Sequence, residues 1–104
     1  MTTKKTKKSL DFLEKLGGKL TLGSLLLAIR HGENMTQIAF AKWLGVSKQY
    51  LCDLERGRRF CSPKSAAFYA KKLGYSAEHF VRLCLQDLID RDGLKLVIDI
   101  KRAA

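Results

Sequence analysis

Apolar side chains recur with a helical period from residue 22 to residue 92, and only after that do they alternate one by one. Leu22, Leu25, Leu26 and Ile29 follow the i, i+3, i+4, i+7 spacing of a buried helix face, which predicts a first helix from Leu22 to about His31. Gly32 and Asn34 stop it. Thr36 caps a second helix and Ser47 a third, with a sharp turn at Gly45 between them. Ala41 is small where two helices cross, and Val46, Leu51 and Leu54 hold the third helix down. Phe40 and Trp43, on the second helix, are assigned to the core. Ser62-Pro63 opens a fourth helix whose stripe is Ala66, Tyr69, Ala70 and Leu73, closed by Gly74. Ser76 and Glu78 open a fifth, ended by Gly93. It carries Val81, Cys84, Leu85 and Leu88, with Phe80, Leu83 and Ile89 widening the face. Leu94, Leu96, Ile98 and Ile100 then alternate with Lys95, Val97, Asp99 and Lys101, the period of a strand.

This pattern gives an all-α fold of five helices with a short C-terminal β-strand. It suggests three regions: residues 1–21, a basic arm with one or two helical turns over Ser9–Leu16; residues 22–75, a helical domain; and residues 76–104, a helix and strand for dimer or partner contact. With 104 residues, the chain has room for one modest core.

Charge changes the picture through its placement. The formal net charge is +10, with +4 in residues 1–8, +6 in residues 22–75, and none in residues 9–21 or 76–104. An excess confined to the arm and the helical domain is what a polyphosphate partner requires. The C-terminal region, being neutral, is suited to protein contact instead. Three cysteines without CxxC spacing and no signal-peptide core point to a reducing, cytoplasmic setting, and Leu25–Ile29 is far too short an apolar run to span a bilayer. His31 and His79 lack metal-ligand spacing, and no phosphate loop, carboxylate pair or nucleophile elbow is present. Neither metal, cofactor nor enzymatic activity is therefore expected. Cys52 is read as a small hydrophobe on the third helix.

Thr36-Gln37, Ala41, Gly45-Val46-Ser47, Leu51, Leu54 and Glu55-x-Gly57-x-Arg59 resemble the Cro/C1-type (XRE) helix-turn-helix family of phage repressors and bacterial regulators. The resemblance covers about Leu22 to Leu73 and implies a lambda-repressor-like domain whose third helix enters the major groove. Residues 80–88 and 93–100 are similar to small antitoxins of the HigA type. By this resemblance Lys48, Gln49 and Asp53 occupy base-contacting positions. Gln pairs bidentately with adenine, Lys donates to guanine and Asp accepts from cytosine. Base contact is favoured for Gln49 and Lys48, while Asp53 is evenly balanced because an acid near phosphates needs a donor of its own. Ser47 starts the helix, and Tyr50 either meets a sugar or thymine methyl or packs beside the turn. Gln37 matches a residue that bonds a backbone phosphate at a helix N-terminus. Arg56, Arg58 and Arg59 are expected phosphate contacts, with Arg59 alternatively bracing its loop. Arg30 and Glu55 match a structural pair joining the first helix to the end of the third.

The resulting expectation is a sequence-specific repressor, acting as a homodimer on double-stranded operator DNA. The second resemblance adds the role of antitoxin to a small ribonuclease toxin, with repression of its own operon. The alternatives are a stand-alone phage-type or restriction-control repressor and, from another class, an interaction adaptor without DNA readout. A lone strand must pair, so Leu94, Leu96, Ile98 and Ile100 are expected to dock either on a second copy or on the toxin. Val81, Cys84, Leu85 and Leu88 are the expected dimer or partner face.

Overall fold

Local capping chemistry places most of the helix ends. The computed structural model describes residues 20–103, and these contain five helices: α1 (Leu22–Gly32), α2 (Gln37–Leu44), α3 (Lys48–Glu55), α4 (Pro63–Leu73) and α5 (Ala77–Arg91). The basic arm and the turns at Ser9–Leu16 lie outside the described residues. The described part is all-α, and no helix in it is long and apolar enough to cross a membrane. It falls into two compact units that divide between Arg59 and Phe60.

In the first unit, Thr21 begins α1 with a reciprocal cap. The Ser24 amide donates to Thr21 Oγ1 at 3.0 Å, and the Thr21 amide donates back to Ser24 Oγ at 2.9 Å. Thr36 and Ser47 cap α2 and α3 through their hydroxyls, at 3.1 and 3.0 Å from the Ala39 and Tyr50 amides. Gly45 sits at φ 80°, in the left-handed region, and the Val46 amide bonds back to the Ala41 carbonyl at 3.0 Å. This closes α2 and turns the chain directly into α3. Both α1 and α2 pack on α3. The core is Leu22, Leu25, Leu26, Ala28, Ile29, Phe40, Ala41, Leu44, Leu51 and Leu54. Trp43 lies at its margin, 37% exposed, edge-on to Phe40 with ring centroids 5.9 Å apart.

α1 and α3 approach closely at Gly23. A Cβ there would run into the Leu54 carbonyl, so only glycine lets α1 lie against the end of α3.

In the second unit α4 packs along α5 over Cys61, Ala66, Tyr69, Ala70, Phe80, Leu83 and Cys84. Ser62 with Pro63 begins α4, and Ser76 begins α5.

The strand expected over Leu94–Ile100 does not form: the described residues contain no strand, and 94–103 have no regular secondary structure. A strand needs a second backbone edge, and here the segment finds side chains of α5 instead. The Gln86 amide nitrogen donates to the Leu96 carbonyl at 2.8 Å, while its oxygen accepts from the Ile98 amide at 2.8 Å. Farther along, Arg102 Nη2 bonds Glu78 Oε1 at 2.8 Å. Gln86 and Glu78 are about 12 Å apart along the helix. The five steps from Val97 to Arg102 cover about 17 Å when extended and about 8 Å when helical. The spacing of the tethers lies between these limits, and they carry the chain back along α5.

Candidate nucleic-acid interface

The outer face of α3 and the turn after it collect the polar residues of the first unit. Lys48, Gln49 and Arg56 are exposed, and Tyr50 and Asp53 are half-buried. Ser47 caps the helix beneath them. Leu51 and Leu54, buried on the opposite side, fix the rotation of the helix, so this polar face stays outward.

Asp53 organises the face. Its Oδ1 accepts from Gln49 Nε2 at 3.0 Å, and from Arg58 Nη2 and Nε at 3.0 and 3.2 Å. The i, i+4 spacing brings Gln49 and Asp53 together on the helix. Arg58 returns to them because Gly57, at φ 74°, reverses the chain. The Asp53 carbonyl in turn accepts from the Arg58 and Arg59 amides at 2.8 and 3.2 Å, so one residue holds the turn through both backbone and side chain.

An ionised carboxylate only accepts hydrogen bonds, so the Gln49 amide presents its nitrogen to Asp53 and turns Oε1 away. One Nε2 hydrogen also remains. A carboxamide held in this sense has the acceptor and donor that match adenine N6 and N7 in the major groove. The Asp53 carboxylate, with three donors on one oxygen, neutralises and aims its neighbours. The Arg59 guanidinium lies 5.0 Å from the centre of the Tyr50 ring, a cation–π contact that orders both side chains. Arg58 remains half-exposed despite its ion pair, and Arg56 and Arg59 are exposed.

Behind this face lies a second, more buried cluster. Arg30 Nε and Nη2 donate to the two Glu55 carboxylate oxygens at 2.8 and 3.1 Å, with side-chain exposures of 16% for Arg30 and 3% for Glu55. Arg30 Nη1 reaches the Met35 carbonyl at 3.1 Å. Gln37 Nε2 donates to Glu55 Oε1 at 2.9 Å. One Gln37 amide hydrogen is thus taken by Glu55, and the second hydrogen and Oε1 are left over. Through this cluster, α1, the start of α2 and the end of α3 are tied together.

The residues named for partner contact separate on the structure. Val81, Leu85 and Leu88 are half-buried on α5. Cys84 is buried within its own unit, and its Sγ donates to the Cys61 carbonyl at 3.0 Å. Burial, then the nearby Cys84, push the Cys61 thiol up to about 12, and burial also raises Cys84. Leu94 and Leu96 are exposed, and Ile98 and Ile100 half-buried. Burial and the Arg82 charge lower the pKa of His79. Among the described residues no group of His, Cys, Asp and Glu is arranged to hold a metal ion.

Three functional details escaped sequence reasoning: the Asp53–Arg58 bond, the place of Gln37 beside Glu55, and the Gln86 bridge. The Gly57 turn signal, two residues after the helix end, was available for the first. The other two join residues 18 and 10–12 positions apart and leave no local signal.

Compared with models of known protein families, with curated proteins and with solved structures, the chain matches none.

Proposed function

We propose that the chain is a sequence-specific DNA-binding repressor of the Cro/C1 helix-turn-helix type. In this reading α2 and α3 form a lambda-repressor-like reading unit, with α3 in the major groove. The observation that carries the reading is the Gln49 carboxamide, held in one sense by Asp53 on the outward face of α3 beside Arg56, Arg58 and Arg59. Lys48 and Gln49 read bases, and the arginines neutralise phosphates. Ser47 starts the helix, Tyr50 supports Arg59, and Asp53 positions Gln49 rather than accepting from cytosine. A single reading helix contacts few base pairs, so a homodimer on a pseudo-palindrome is the form with useful specificity. The net charge of +10 supports a polyphosphate partner. The setting is cytoplasmic, where duplex DNA is accessible and the three cysteines stay reduced.

The resemblance of the C-terminal region to HigA-type antitoxins supports the narrower role of a toxin-neutralising autorepressor. Its test is a neighbouring gene product that arrests growth alone and is neutralised by this chain.

The DNA reading is tested by selecting duplexes from a random pool. Enrichment of one pseudo-palindromic sequence is expected. A pool that remains random after selection refutes sequence-specific binding, and with it separates a repressor from an interaction adaptor.

A further inference from the structure

The Gln86 bridge gives the C-terminal segment a defined edge. A side-chain amide that bonds the carbonyl of residue 96 and the amide of residue 98 copies the pattern with which a neighbouring parallel strand grips the residue between them. Successive residues of an extended chain direct their backbone groups to opposite edges, so Val97 turns its own N–H and C=O away from Gln86. Lys95 and Asp99 share that outer edge. None of these three residues takes a hydrogen bond among the described residues. The Val97 residue is 88% exposed, and Leu94 and Leu96 are 49% and 57% exposed. An open edge beside exposed apolar side chains calls for a second strand.

The sequence specifies which strand. Around Val97 the segment reads Leu94-Lys95-Leu96-Val97-Ile98-Asp99-Ile100, which is complementary to itself under a two-fold axis. Antiparallel pairing with Val97 opposite Val97 sets Lys95 against Asp99 of the second copy, twice. It also sets Leu96 against Ile98 and Leu94 against Ile100, covering the two exposed leucines with the two isoleucines. The same register makes Val97 with Val97, and Lys95 with Asp99, the hydrogen-bonded pairs, which uses the edge that Gln86 leaves open. Parallel in-register pairing would put Lys95 on Lys95 and Asp99 on Asp99. Centring the axis on Leu96 sets Lys95 against Val97 and loses the charge match.

We infer that the C-terminal segment pairs antiparallel with that of a second copy, with its two-fold axis at Val97 and Gln86 bracing the strand from behind. A strand thus forms on dimerisation where the described residues of the single chain have none. This inference deepens the homodimer part of the proposed function and is independent of DNA.

Sedimentation equilibrium on the full chain without DNA tests it, with helicity checked by circular dichroism. Lys95→Asp and Asp99→Lys each turn both cross-strand attractions into repulsions, and each should weaken the dimer about tenfold. The double exchange Lys95→Asp/Asp99→Lys should restore it. An equimolar mixture of the two single variants should associate more tightly than either alone, because the mixed pair is again complementary. In isotope-mixed protein, intermolecular contacts between the Leu96 and Ile98 α-protons are expected. A monomeric wild type refutes both the inference and the homodimer reading. A dimer unmoved by the single reversals, or not restored by the exchange, refutes the strand pairing alone.

Discussion

At the scale of single residues, the tightest constraints are at Glu55 and Gly23. With Glu55 almost fully enclosed, removing Arg30 strands a buried carboxylate, and removing Glu55 strands a guanidinium. Arg30→Ala or Glu55→Ala is expected to destabilise the fold by about 3–5 kcal/mol, well above the value of an exposed pair. Denaturant titration checks this, and a loss below about 1 kcal/mol would show the pair to be solvated. Gly23→Ala forces α1 off the Leu54 carbonyl, so it is expected to cost more than the helix propensity it gains, about 1 kcal/mol. A stabilised Gly23→Ala protein would contradict the close approach. The Cys61 thiol carries a pH dependence. Its ordinary value of 9.0 rises to about 12 in the fold, so the folded chain keeps a proton that the unfolded chain loses in this window. The stability contributed is complete below pH 9 and falls as pH rises towards 12. The stability advantage of wild type over Cys61→Ala should therefore shrink across that range. An advantage that stays constant from pH 8 to 11 would contradict the shift.

At the scale of elements, α3 and the turn after it act as one piece because Asp53 bonds both. Under the proposed function, Asp53→Ala releases Gln49 and Arg58 while removing a negative charge. Non-specific affinity should rise, and the ratio of operator to random-DNA affinity should fall roughly tenfold, the value of a misplaced bidentate base contact. Paired titrations on both duplexes measure it, and an unchanged ratio would remove the positioning role. The helices themselves were legible in the sequence because their signals are local. Thr36, Ser47, Ser62 and Ser76 each cap a helix where a hydroxyl precedes an apolar stripe, and Gly45 and Gly74 close helices with left-handed turns. What stayed hidden depends on encounter. Gly23 reads as an ordinary weak helix former until Leu54 is placed against it, and Trp43 reads as core until the helix is rotated. The alternation after Gly93 shows an extended segment, yet alternation states only a preference of side chains for faces. Whether a ladder forms depends on a second backbone edge, which the described residues of the single chain do not supply.

At the scale of the whole molecule, charge is the property most directly tied to the proposed function. The four lysines of residues 1–8 add charge without any base-reading pattern. Deleting them should make the dependence of log Kd on log salt shallower, while the operator-to-random ratio stays the same. An unchanged slope would show that they do not meet phosphate. The central claim, that α3 reads sequence through Gln49, is tested most directly by fluorescence anisotropy at one fixed salt concentration. Wild type and Gln49→Ala are each titrated against the selected duplex and a scrambled duplex of equal length. A loss of about 1–3 kcal/mol is expected on the selected duplex and almost none on the scrambled one. Equal losses on the two duplexes would contradict the claim.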